Sequence, residues 1–101
     1  MPDPTVWPIK DSASSTIVAP AASGEVLAAN PDRGDTEIIN VSNPSEAISL
    51  SRGGVAVLGS GLTLTARGSK YRIGTTNMWY GAINAISASG TAALSIEEGD
   101  A

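Results

Sequence analysis

From Thr36 onward the chain alternates between apolar and polar positions with a period of two. In "TEIINVS", Ile39 and Val41 share a face. In "EAISLS", Ile48 and Leu50 alternate with Ala47, Ser49 and Ser51. "LTLTA" sets Leu62 and Leu64 against Thr63 and Thr65, and "KYRIG" sets Tyr71 and Ile73 against Lys70 and Arg72. "TAALSIE" does the same with Leu94 and Ile96. Each pattern predicts a strand with one face toward a core and the other toward water or small-residue packing. "YGAINAIS" differs, because Ile83 and Ala85 fall on one face and Ala82 and Ile86 on the other. A strand apolar on both faces is central, or covered on its outer side; in a small sandwich the cover could be another subunit.

Turn residues punctuate these runs at Asn43-Pro44, Gly53-Gly54, Gly59-Ser60-Gly61, Gly68-Ser69, Gly74 and Ser89-Gly90. That spacing predicts an all-β fold, an antiparallel β-sandwich of jelly-roll-like form with about eight strands. "NPS" reads as a hairpin connector, and residues 80–88 and 91–97 read as a C-terminal hairpin central to the sheet. No window sustains a helical period, although a short helical turn fits near Thr75–Trp79. "EEGDA" reads as a solvated acidic end.

The first 35 residues break the pattern, carrying Pro2, Pro4, Pro8, Pro20 and Pro31, five of the six prolines. Proline withholds a ladder donor and biases its predecessor to extended backbone. Residues 1–24 therefore read as an extended N-terminal arm, and 25–101 as the sandwich domain. At most short strands are expected early, "STIVA" at 15–19 and "EVLAA" at 25–29. "ANPDRGD" closes this region as a turn cluster.

Composition narrows the function classes. The chain has 101 residues, enough for one domain with a modest core, and it lacks Phe. Ala is abundant but contributes little burial, so stabilisation by a partner subunit is expected. There is no Cys and no His, which removes disulfides, thiolate ligands and the commonest general base. Ten acidic against six basic residues give a net charge of −4. That balance argues against a nucleic-acid surface. No apolar run reaches membrane-span length, and "MPDP" is not a signal-peptide start. A chain made in the cytoplasm, with no membrane partner, is expected.

Candidate chemistry is sparse. The carboxylates sit at turns, strand ends and the tail, and no nucleophile elbow accompanies the serines. An enzyme is not expected, nor is any cofactor. Asn30, Asp32, Asp35 and Glu37 are closely spaced oxygen donors, but they lack Ca²⁺-loop spacing and read as a polar turn. Arg33-Gly34-Asp35 matches an adhesion tripeptide, yet reads more simply as a turn with Gly where positive φ is needed. Trp79-Tyr80 could stack a sugar ring. Core or interface packing suits them better in a chain short of bulky side chains. Val6, Trp7 and Ile9 form an apolar cluster in the arm and read as an anchor for a partner. With Tyr71, Trp79 and Tyr80 they make up the expected partner-binding set.

Residues 39–98, from "INVSNPS" through "GSKY" to "GAINAISASGTAALSIEE", resemble small all-β virion structural proteins of tailed bacteriophages. The resemblance lies in strand order and turn placement and carries no catalytic residue. It implies a virion structural protein, at any of the positions such proteins hold: capsid decoration or cement, the base of a head fibre, or a related attachment piece. The role expected here is a decoration or cement protein that binds the major capsid protein or other virion structural proteins. A homotrimer is the expected assembly, since cyclic symmetry can match local capsid axes. A neck, tail or head-fibre adaptor is the alternative, and a carbohydrate-binding module for host adsorption a further one.

Overall fold

The computed structural model describes residues 11–100. Val6, Trp7 and Ile9 lie outside the described residues, as does the rest of the stretch 1–10 within the segment read as an arm. Eight strands form: β1 (Asp11–Val18), β2 (Gly24–Leu27), β3 (Arg33–Asn40), β4 (Ile48–Arg52), β5 (Leu62–Leu64), β6 (Lys70–Ile73), β7 (Ile83–Ser87) and β8 (Ala93–Asp100). They make two four-stranded sheets, β1-β8-β3-β6 (sheet A) and β2-β7-β4-β5 (sheet B), and every pairing is antiparallel. The ladders nest. Ile48 faces Leu64, Thr36 faces Ile73, Gly24 faces Ala85 and Asp11 faces Asp100. One long ribbon, doubled back between β4 and β5, is thus wrapped into a sandwich of jelly-roll topology. The fold class expected from the alternation is the one observed.

The core is aliphatic. Ile38, Ile73, Ile96 and Leu94 of sheet A meet Ile48, Leu50, Leu64, Ile83 and Ala85 of sheet B, all buried. Each fully buried Ile or Leu contributes about 1.5–3 kcal/mol, which sustains a core without Phe. The apolar pairs at 48/50, 62/64, 71/73, 83/85 and 94/96 point inward as their alternation predicts. In β3 the inward residues are instead Thr36, Ile38 and Asn40, and Ile39 faces outward. The run is apolar at both Ile38 and Ile39, so either register satisfies it locally. Pairing of Ile38 with Ile96 and Tyr71 decides.

Four local expectations differ from the structure. β1 is an eight-residue strand laid along β8, so sandwich structure begins well before residue 24. The short strand expected at 15–19 overlaps its second half; its first residues, Asp-Ser-Ala-Ser, carry no strand pattern because serine and alanine at an edge need no buried partner face. Second, β7 and β8 are each central, but in different sheets, and the residues between them arch across the sandwich rather than form a hairpin. "NPS" likewise carries the chain from sheet A to sheet B. Third, 75–77 forms a turn, not helix, closed by Asn77 Oδ1 accepting from Gly74 N at 2.8 Å. Fourth, the acidic end is strand, and Glu98 and Asp100 lie on the inward-facing side of β8 with Leu94 and Ile96.

Arg33 is the largest departure. It opens β3 instead of sitting in a turn, and its side chain is 0% exposed. Between Arg33 and Thr36 the β3–β8 register slips by one residue, Arg33 facing Asp100 but Thr36 facing Glu98. A bulge of this kind re-aims a side chain. Strict alternation from Thr36 would send Arg33 outward; the extra residue turns it in. There its Nε donates to Glu98 Oε2 at 2.7 Å. Nη1 donates to the Trp79 and Gly81 carbonyls at 2.8 and 2.9 Å, and Nη2 to the Ala28 carbonyl at 2.6 Å. Four chain segments meet on one guanidinium.

Truncating Arg33 leaves Glu98 without its cation and three carbonyls without a donor. Arg33→Ala is expected to cost about 3–5 kcal/mol, and Arg33→Lys to recover only part of it, because an ammonium cannot span the four acceptors. Urea unfolding of the three proteins checks the order; equal midpoints for wild type and Arg33→Lys would refute the multidentate role.

Candidate functional site

The surface that stands out is a segment, residues 53–61, between β4 and β5. It lies over the outer face of sheet B. Its backbone is held at successive points: Gly53 N donates to the Ala82 carbonyl (2.9 Å), and the Gly54 carbonyl accepts from Asn84 Nδ2 (2.6 Å). Ala56 N donates to Ser23 Oγ (2.8 Å), Gly59 N to Ser49 Oγ (2.8 Å), and Ser60 N to the Val57 carbonyl (3.0 Å). Ser49 is consequently buried although it faces away from the core, with its hydroxyl also against Thr63 Oγ1 at 3.0 Å. This segment covers the strand expected to need a cover, β7, so the cover comes from the chain itself.

Having its polar groups tied down, the segment turns apolar side chains to solvent. Val55 is 76% exposed, Val57 58% and Leu58 43%. Buried Ala56 between them anchors the run. Scattered exposed apolar residues are ordinary, but these three fall within four positions on a pinned loop and are three of the five large exposed apolar or aromatic side chains among the described residues. The sequence signal was present in "GGVAVLGSG", an apolar run between glycines too short to read as a strand with a face.

The predicted aromatic set separates. Tyr71 lies on the inner side of edge strand β6, half-buried against the core. Trp79 is also half-buried on the core, its Nε1 donating to the Ala82 carbonyl at 3.0 Å. The indole covers Gly81 so closely that a Cβ there would lie 2.6 Å from Cζ2. Gly53, at φ +79°, is against the same ring. Tyr80 is 44% exposed and is not part of the core cluster that Trp79 packs against.

The oxygen donors around residue 30 have other partners. Asn30 Nδ2 donates to Asp100 Oδ1 at 2.7 Å, and Asn30 Oδ1 accepts from Asp32 N at 2.9 Å. Glu37 lies 3.7 Å from Lys70. Asp35 accepts two bonds from Arg72, at 2.9 and 2.6 Å. That guanidinium, chiefly through its hydrogen bonds, holds the Asp35 carboxyl below its ordinary value of 3.8, with partial burial opposing. Among the described residues no three acidic side chains converge as a metal site would require.

No protein-family model and no curated protein matches the chain. Among solved structures, the stem and receptor binding domain of the spike protein P1 from bacteriophage PM2 is similar over 82% of this chain, with a TM-score of 0.55 and 17% identity. The chain spans 31% of that spike chain. A de novo designed double-stranded β-helix aligns over 90% of this chain and 100% of its own, with a TM-score of 0.49 and 18% identity. At such identity the likeness to the spike domain is one of fold.

Gly81→Ala drives a methyl into the Trp79 ring and is expected to cost about 1–3 kcal/mol in denaturant unfolding; an unchanged midpoint would show that the indole is free to move. Because the folded Asp35 pKa is the depressed one, its ion pair stabilises above about pH 3.8 and fades as pH falls through the lower folded value. Both partners are largely exposed, so the gain is small and screened by salt. Asp35→Asn should therefore be slightly less stable than wild type at neutral pH, with the gap closing in acid. A gap that widens as the pH falls contradicts this assignment.

Proposed function

We propose that this chain is a structural protein of a tailed-bacteriophage virion, binding the capsid as a decoration or cement protein. The observation that carries the reading is the pinned segment 53–61, which presents Val55, Val57 and Leu58 to solvent from the outer face of sheet B. Apolar side chains on a preorganised backbone lose little entropy when a partner covers them. A protein that binds only the assembled shell stabilises it by mass action. The jelly roll is a recurrent capsid and lectin architecture, and the similar solved domain belongs to a phage spike. The sequence resemblance of residues 39–98 to virion proteins points the same way.

A second reading has its own support. The similar domain is described as the stem and receptor binding domain of a spike, and exposed Tyr80 is an aromatic available to a glycan or protein receptor. On that reading the chain is part of an attachment structure present in few copies at special positions. Copy number measured by gel densitometry of purified particles separates the two: a decoration protein scales with capsid subunits, an attachment piece does not.

The direct test is re-addition of purified protein to particles lacking it. Wild type should bind and raise the temperature at which the shell opens. Val57→Asp, which places a charge in the centre of the apolar surface, should weaken binding by at least about tenfold while leaving the isolated protein folded. Full binding by the variant would remove the segment, and with it this reading, from consideration.

A further inference from the structure

Sheet edges in soluble proteins carry protection: shortness, lysine, proline or a bulge. Three of the four edges here have it. β5 has three residues, and β2 has four with a bulge between Glu25 and Leu27. β6 has four and carries Lys70 and Arg72 on its outer face. β1 has none of these. It is eight residues long, pairs in unbroken register with β8, and reads Asp-Ser-Ala-Ser-Ser-Thr-Ile-Val, with no Lys, no Pro and no bulge. Among the described residues nothing pairs with its other side.

The free groups can be assigned. Ala19 N donates to the Ala92 carbonyl at 2.8 Å, continuing the β1–β8 ladder by one position. Antiparallel ladders alternate bonded and non-bonded pairs. Ser15 and Ile17 therefore direct their backbone N–H and C=O toward β8, while Ser12, Ser14, Thr16 and Val18 direct theirs away from it. Residues Ser12 through Thr16 are all exposed, including Ala13 and Ser15, which lie on the inward-facing side. Sheet A outruns sheet B here, so both faces of this half of β1 are open.

We infer that β1 is a homodimerisation edge, on which a second copy of this chain lays its own β1 antiparallel. The strand suits itself. A twofold axis perpendicular to the sheet keeps the two inward faces on the same side, and this requires pairing of like-parity residues, such as Ser14 with Ser14 of the other copy. In that register Ser12 meets Thr16, Ala13 meets Ser15, and Asp11 meets Ile17. Within the paired residues no like charges come opposite, the outward N–H and C=O groups of Ser12, Ser14 and Thr16 in the two strands satisfy each other, and small side chains allow the approach. The two copies of sheet A then form one continuous sheet. Strand addition of this kind derives its affinity from main-chain bonds. The buried area is small, which places the dimer in the weak, concentration-dependent class. The assembly is twofold, in contrast to the threefold one expected from capsid symmetry.

Sedimentation of the full chain over a concentration series tests it. The expected limit at submillimolar protein is twice the 10.2 kDa chain mass. Ser14→Pro removes an outward N–H and no inward one, and should be monomeric throughout with its fold kept by circular dichroism. Should that variant not fold, hydrogen exchange of the wild type gives an independent readout. Amides of Ser12, Ser14 and Thr16 should exchange at least about tenfold more slowly at high than at low concentration. A wild-type monomer or trimer at submillimolar protein overturns the inference. So does a dimer unaffected by Ser14→Pro, or exchange at these amides that does not depend on concentration.

Discussion

One buried guanidinium sets the geometry of a whole end of this molecule. The β3 bulge turns Arg33 inward, and its side chain then reaches Glu98 of β8, the Ala28 carbonyl leaving β2, and the Trp79 and Gly81 carbonyls before β7. Burying a charge is costly in itself, and such a pair is not a source of net stability by default. Its effect is selective. Each carbonyl it holds would otherwise be a polar group with no donor at the end of a sandwich. Only one arrangement of the 28–33 and 79–81 segments satisfies them all. Trp79 is placed by that arrangement, and the glycines at 53 and 81 are what leave room for its ring.

The opposite end solves the same problem without a buried cation. Asn40, fully buried, donates to the Glu46 and Leu64 carbonyls at 2.7 and 3.0 Å and accepts from Ser42 N at 3.0 Å. Its backbone pairs with Ser69 and Gly68. Ser87 Oγ donates to the Ala19 carbonyl at 2.6 Å, and the Glu46 carboxylate accepts from Ser89. A jelly roll sends most of its connections across the sandwich rather than along a sheet, so each end carries arches whose backbone groups have no ladder. Here side chains of the strands supply the missing partners. The aliphatic core is small, and the two polar clusters give it a single set of loop positions.

Periodicity made the strands legible because burial on one face leaves a period of two, and β4, β5, β6 and the first half of β8 follow it residue by residue. What it could not distinguish is a turn within a sheet from an arch between sheets. The short connection between Ser87 and Ala93 looks the same locally in either case, and only the pairing of β8 with β1 and β3 makes it an arch. The same limit hid Arg33. A bulge alters the inward or outward sense of every residue before it, and neither the Arg33-Gly34-Asp35 stretch nor the acidic end carries a mark that the two would meet. Tyr71 and Trp79 were foreseeable as bulk for a core without Phe. The exposed Val55, Val57 and Leu58 were not, because their segment earns its rigidity from hydrogen bonds to Ser23, Ser49 and Asn84, three residues with no sequence relation to it.

Placement of polar and apolar residues also separates the tasks of different surfaces. Sheet A closes its outer face with ion pairs, Arg72 to Asp35 and Lys70 to Glu37, and with Ser14 against Glu97. Sheet B closes its outer face with a folded-over segment and leaves apolar side chains on top. A protein whose only task was to remain a monomer would gain nothing from three exposed aliphatics over one sheet and, on the other, an eight-residue edge with which no described residue pairs. Both cost solubility, and neither is needed by the core beneath. They are at different places on the sandwich and differ in kind, one apolar and one made of main-chain groups. The segment 53–61 and the β1 edge thus present different chemistry from different sheets.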